Sequence, residues 1–158
     1  GARRQDSVGR GLAAVDPRSR FVLIHDAARP FVTSAMIGRL LRAARSSGAA
    51  IPGVPVTSTI KKVTRTQGHK DTKTYVEKTV DRKELWEAQT PQAFRADLIK
   101  AAYRRFNCAH ATDDAALVEQ AGHPVALVMG SYANIKITTP EALAHAEALA
   151  QSHRFTAG

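Results

Sequence analysis

An acidic and a basic side chain stand three residues apart in His25-Asp26-Ala27-Ala28-Arg29-Pro30, directly after the apolar run Phe21-Val22-Leu23-Ile24. A carboxylate placed there can hold Mg²⁺, and an arginine beside it can grip a phosphate through two parallel hydrogen bonds. The carboxyl end of a parallel strand is also the edge where open α/β sheets bind ligands. The same spacing equally suits a local salt bridge or a turn cap, so both readings stay open. Thr79-Val80-Asp81-Arg82 and Gln89-Thr90-Pro91-Gln92 offer an arginine and hydroxyls, the donors a phosphate needs. Turn chemistry around Pro91 and helix capping would use these residues too. Lys136 lies inside Asn134-Ile135-Lys136-Ile137-Thr138, a stretch otherwise made for burial. A half-buried lysine calls for an anion, either a bound phosphate or a neighbouring carboxylate.

Several other chemistries fit poorly. The six histidines are spread without ligand spacing, which argues against a zinc site. No nucleophile elbow is present, so covalent catalysis has little support. The formal charge of +9 asks for an anionic partner. Yet the aromatic residues do not alternate with the basic ones as on a base-stacking platform, and no zinc-finger, helix-turn-helix or RNA-binding signature occurs. Phosphorylated small molecules are therefore expected, and nucleic acid is not. With 44% apolar and 23% charged residues the composition is near the globular average. No apolar run nears the roughly 18–20 residues that span a bilayer, and no signal-peptide pattern opens the chain. Cys108 is the only cysteine, which excludes an internal disulfide and fits a reducing compartment; it reads as a packed or half-exposed thiol. Trp86 reads as a core or interface anchor.

The elements that must position these residues follow from periodicity. Phe21–Ile24 reads as a buried parallel strand that delivers His25 and Asp26 at its end. Asp6-Ser7 can cap a helix through Val8, Leu12 and Ala13, and Ser34 a helix with Ile37, Leu40, Leu41 and Ala44 on one face, closed by Gly48. A strand from Ala49 to Val56 follows. This alternation predicts an α/β domain with a mainly parallel sheet. Residues 57–83 break the rhythm: Thr59–Val63 and Thr74–Thr79 alternate like exposed strands, with Gln67–Asp71 as the turn. Lysines and arginines dominate there, and a polar hairpin so poor in core residues calls for another surface to pack on. A protruding arm that meets another subunit is expected. The α/β rhythm resumes with a helix from Arg95 to Phe106 and another capped by Thr112-Asp113-Asp114. Strands at Val125–Met129 and Asn134–Ile137 follow, then a last helix opened by Thr139-Pro140-Glu141. The expected division is an α/β core over 1–56 and 84–151, an arm over 57–83, and a flexible tail over 152–158.

Taken in order, Asp6-Ser7-Val8, His25 to Pro30, Thr59-Ile60-Lys61, Thr79 to Arg82, Leu85-Trp86, Gln89 to Phe94, Thr112 to Ala115 and Asn134 to Thr138 resemble one family throughout. That family is the 2-C-methyl-D-erythritol 4-phosphate cytidylyltransferases of the non-mevalonate isoprenoid pathway. The resemblance runs from residue 1 to about 150. It implies a Rossmann-like nucleotidyltransferase fold and a homodimer joined through 57–83, whose arms reach into each other's active sites. It also implies attack of a substrate phosphate oxygen on CTP with Mg²⁺ bound, in the cytoplasm of a bacterium or in a plastid. Asp26, Arg29 and Lys136 would be catalytic, with the metal at Asp26. Gly1 and Ser7 would contact the cytidine. Asp26, Arg29, Thr59, Arg82, Thr90 and Lys136 would bind the methylerythritol phosphate, Thr59 and Arg82 serving the partner subunit's site.

Two positions depart from the family pattern, Ser58 in place of an acidic residue and Ala133 in place of a polar one. The Gly-rich loop that cradles the CTP triphosphate in the family has no counterpart, so the chain reads as N-terminally truncated and inactive by itself. A ribitol 5-phosphate cytidylyltransferase is the neighbouring alternative, and a non-catalytic polyanion-binding module the alternative of another class.

Overall fold

The computed structural model describes residues 3–66, 73–106 and 111–155. Gly1, the turn expected at Gln67–Asp71, Cys108 and residues 156–158 lie outside them. The chain divides into two compact units, residues 1–53 with 88–158, and Val54–Glu87.

In the first unit, α1 (Arg4–Ala14) leads into β1 (Phe21–Ile24), α2 (Ser34–Ser47) and β2 (Ala49–Pro55), the last running on into the second unit. After β5 (Trp86–Ala88) come β6 (Gln92–Arg95), α3 (Ala96–Arg105), α4 (Ala115–Gln120), β7 (Ala126–Met129) and α5 (Pro140–Phe155). The sheet order is β1-β6-β2-β5, with β7 also paired to β2. β6 is antiparallel to both β1 and β2, and β7 is parallel to β2, so β1, β2 and β7 share one direction.

Neighbouring strand residues point to opposite faces, and here each face is covered. Ala49 and Phe94 join a core with Leu12, Ile99, Leu117 and Val118, drawn from α1, α3 and α4. Ala50 and Ala93, the next residues along, join Met36, Leu40 and Ala44 of α2 on the other side. Helices on both faces explain why β1 is a continuous apolar run rather than an alternating one.

Local chemistry sets the helix ends, with adjustments to the expected caps. α1 starts earlier than Asp6 suggests, because the Asp6 carboxylate is three residues inside and accepts from the Arg3 backbone N–H at 3.1 Å. α2 is capped by Thr33 rather than Ser34: its Oγ1 accepts from the Met36 N–H at 3.2 Å. Gly48 closes α2 at φ 85°, where its N–H reaches the Ala44 carbonyl. Asp113 accepts from Ala116 N–H at 3.0 Å at the start of α4, and Thr139 Oγ1 from Ala142 N–H at 3.2 Å at the start of α5. α5 runs to Phe155, past Ser152 where a tail was expected, through an alanine-rich stretch of strong helix formers.

Two segments differ from expectation. Gln92–Arg95 is a reversed strand inserted between β1 and β2. Asn134–Ile137 is not a strand; its backbone is held by Asn134 N–H to the Ser131 carbonyl at 3.0 Å and Ile137 N–H to the Ala28 carbonyl at 2.8 Å. Asn134 is turned into the interior there and is occupied with the loop after β5 instead of a ladder.

The second unit is built on the antiparallel pair β3 (Ile60–Thr66) and β4 (Lys73–Val80), in register from Ile60–Val80 to Thr66–Lys73, with an irregularity between Lys62 and Val63. Lys62 pairs with Glu77 at 2.7 Å, and Lys61 Nζ donates to Thr79 Oγ1 at 2.6 Å. Val63, Tyr75 and Val76 are exposed at 46%, 52% and 61%, so the hairpin carries apolar side chains with no core of its own.

Candidate active site

β1 ends at Ile24, and the loop that follows turns Asp26 toward three cations. Lys136 Nζ lies 2.9 Å from one carboxylate oxygen, Arg4 Nε 3.2 Å from the other, and Arg29 Nε 3.9 Å away. The Asp26 side chain retains 15% of its exposure. Burial pushes its pKa up, but the hydrogen bonds and charges of Lys136 and Arg4 outweigh that and hold it below 3.8. The anion that Lys136 required is thus a neighbouring carboxylate. The spacing-based Asp26–Arg29 pair is the longest of the three contacts. Arg29 is fixed chiefly by donating Nη1–H to the Asn134 carbonyl at 2.7 Å.

The loop is locked from below by Thr90. Its Oγ1 accepts from the Asp26 N–H at 3.0 Å and lies 3.0 Å from His25 Nδ1. The Arg29 carbonyl can only accept, so His25 Nε2 donates to it at 3.0 Å. In the neutral ring Nδ1 is then the acceptor for the Thr90 hydroxyl. Thr90 precedes a cis Pro91. The Thr90 carbonyl accepts from Nδ2 of the fully buried Asn134 at 2.9 Å. Asn134 thus ties the Thr90 turn to the segment that carries Lys136.

Arg4, at the start of α1, was not singled out by the sequence. Besides Asp26 it holds Asp114, whose side chain is fully buried, at 2.7 Å. Tyr103 donates its hydroxyl to the other Asp114 oxygen. Burial lowers the Arg4 pKa, and the two carboxylates more than reverse this, keeping the guanidinium charged. The only sequence signal was its place beside Arg3, ahead of the Asp6-Ser7 motif. Gln92, named in its motif but given no role of its own, donates to Asp113 at 2.7 Å and accepts from Ala115 N–H at 3.1 Å, joining β6 to α4.

Arg4, Asp26, Arg29, Thr90, Asp113 and Lys136 line a cleft of about 150 Å³, room for a phosphate-sized group. Of the other expected site residues, Ser7 is exposed on α1 one turn after Arg4, the i,i+3 relation that places two side chains on one face. Thr59 and Arg82 belong to the second unit and are exposed; Arg82 donates to the Thr57 carbonyl. Gly1 lies outside the described residues. No cluster of three metal-ligating side chains occurs among the described residues.

The family model described as 2-C-methyl-D-erythritol 4-phosphate cytidylyltransferase matches residues 1–152. A curated relative of that name from Syntrophus aciditrophicus is 48% identical over 150 residues, covering 94% of this chain and 61% of its own length. One from Geobacillus thermodenitrificans is 49% identical over 154 residues, 96% of this chain and 64% of its own. The crystal structure of the Thermus thermophilus cytidylyltransferase superimposes with a TM-score of 0.81 at 41% identity, over 96% of this chain and 71% of that one. The chain thus spans about three fifths of the length of the curated relatives it matches. Fold and sequence agree: the chain belongs to the 2-C-methyl-D-erythritol 4-phosphate cytidylyltransferase family.

Proposed function

We propose that this chain supplies the acceptor side of a cytidylyl-transfer site. A phosphate oxygen of 2-C-methyl-D-erythritol 4-phosphate attacks the α-phosphorus of CTP. The bond from that phosphorus to the oxygen bridging to the β-phosphate breaks, and pyrophosphate leaves. The observation that carries this reading is the convergence of Arg4, Arg29 and Lys136 on one carboxylate at the end of β1. Joining two phosphates needs alignment and charge neutralisation, not a covalent nucleophile.

Arg29 and Lys136 are the catalytic cations. Lys136 is the more mobile, with 44% of its side chain exposed, and exchanges Asp26 for a phosphate when substrate enters. Thr90 holds the loop and faces the acceptor. Arg4 keeps Asp26 ionised and aimed. Ser7, with Gly1, faces the cytidine. Thr59 and Arg82 serve the site of a second subunit, in a homodimer formed through 57–83; the exposed Val63, Tyr75 and Val76 support such a contact. Mg²⁺ typically keeps several waters and takes one or two carboxylates plus substrate phosphates. Asp26 fits that habit, because the cation on one of its oxygens is the displaceable Lys136. When bound, the ion neutralises phosphate charge. The partners are small phosphorylated molecules, with no nucleic acid or membrane, in bacterial cytoplasm or a plastid; the rice relative, 44% identical, is named chloroplastic.

The test is CTP-dependent pyrophosphate release by a protein of the relatives' length that carries these residues. Release with 2-C-methyl-D-erythritol 4-phosphate is expected. Release with ribitol 5-phosphate alone would overturn the substrate. Salt-sensitive nucleic-acid binding without transfer would point instead to a polyanion-binding module.

A further inference from the structure

We propose that the groove between α1 and α3 binds an amphiphilic phosphate, an ionised phosphate head carrying an aliphatic tail. It lies at the other end of β1 from Asp26: Arg20 immediately precedes the strand, whose four residues span roughly 13 Å. The groove has two neighbouring parts that share Lys100 and Arg104 as lining residues. One, of about 540 Å³, gathers Arg20, Arg95, Lys100 and Arg104 around the carboxylate of Asp97, with Asp16 near enough to Lys100 to feel its charge. The other, of about 400 Å³, is walled by Leu12, Ala13 and the ring of Tyr103 over Gly9. Both volumes fall in the range of roughly 300–1,000 Å³ seen for small-molecule sites.

Charge and shape select the ligand. Asp97 is already engaged by Arg95 at 2.7 Å, whereas Arg20 and Arg104 form no ion pair among the described residues. Lys100 spends one donor on the Val15 carbonyl at 3.4 Å and keeps two. The guanidinium groups of Arg20, ahead of β1, and Arg104, on α3, together with the Lys100 ammonium, match phosphate oxygens. The Tyr103 hydroxyl is turned away to Asp114, so only its ring faces the apolar part. The gap over Gly9 is open: a Cβ there would stand 4.0 Å from the Tyr103 ring, with nothing nearer. A head group at Arg20 and Arg104 therefore leads its tail along Leu12 toward Gly9.

The experiment is calorimetric titration of this 158-residue chain with n-octyl phosphate below its aggregation concentration, alongside inorganic pyrophosphate and n-octanol. Saturable one-to-one binding of octyl phosphate is expected, weakening as salt is raised. The double substitution Arg20→Glu with Arg104→Glu should weaken it at least roughly tenfold, since each hydrogen bond to a charged group is worth a factor of that order. Gly9→Leu fills the apolar part, replaces a poor helix former with a good one, and should weaken octyl phosphate at least roughly tenfold while sparing pyrophosphate. The proposal is overturned by no saturable binding, by affinity that neither variant changes, or by pyrophosphate binding as tightly as octyl phosphate. Cytidylyl transfer enters none of these readouts, so this result stands or falls apart from the proposed activity.

Discussion

Arg4→Met is the most informative perturbation, because one guanidinium serves two carboxylates. In the native structure Arg4 Nη2 lies 2.7 Å from the fully buried Asp114 and Nε lies 3.2 Å from Asp26. Methionine keeps much of the aliphatic packing and removes the charge. Among the described residues the Asp114 carboxylate then keeps the Tyr103 hydroxyl, and Asp26 loses one of its cations. Removing one partner of a buried ion pair costs about 3–5 kcal/mol. Because 31% of the Arg4 side chain is exposed, solvent screening reduces that to about 2–3 kcal/mol. At about 2–4 °C per kcal/mol for a chain of this size, Tm should fall by roughly 4–12 °C. The assay is thermal and urea unfolding of the wild type, Arg4→Met, and Arg4→Met with Asp114→Asn. Asparagine still accepts from Tyr103 but carries no charge, so the double variant should recover about half of the loss. The reasoning is refuted if Arg4→Met lies within about 0.5 kcal/mol of the wild type, or if the second substitution brings no recovery.

Three further outcomes follow from the same geometry. Asp26 has a folded-state pKa below 3.8, so its ionised form favours the folded state. That stabilisation is complete above about pH 5 and drains away as pH falls through the depressed value. Asp26→Asn should therefore flatten the acid limb of the stability curve relative to the wild type, and parallel acid limbs would contradict the assignment. Gly130→Ala should destabilise by about 1–3 kcal/mol in urea unfolding: its Cβ would meet Gln89 Oε1 at 2.4 Å and the Gly53 carbonyl at 3.0 Å. Thr90→Val removes the acceptor of the Asp26 N–H and the donor to His25. In a protein of the relatives' length it should lower pyrophosphate release at least roughly tenfold while leaving the circular dichroism spectrum unchanged; full activity would remove Thr90 from the site.

Much of the framework was legible along the chain. The apolar run of β1, the Gly48 stop and the Thr139-Pro140 start are local signals, because burial period and capping act within a few residues of each other. His25 to Pro30 could be placed at a strand end for the same reason. Local rules also erred where distant partners compete. Asn134–Ile137 has the composition of a strand, but Asn134 satisfies the Thr90 carbonyl, and backbone bonds to Ser131 and Ala28 replace a ladder. Gln92–Arg95 could be found as a motif but not as a reversed strand, since direction is set by which neighbours flank it. The cluster around Asp26 shows the limit most clearly. Its members come from residues 4, 26, 29 and 136, and only Asp26 and Arg29 are near in sequence. Amino-acid type made each a possible ligand, and the sequence therefore determined the available chemistry. Which cation meets which carboxylate depends on distance and desolvation across packed elements, and only the tertiary structure decides that: it gave Asp26 to Lys136 and Arg4, and gave Arg29 to the Asn134 carbonyl.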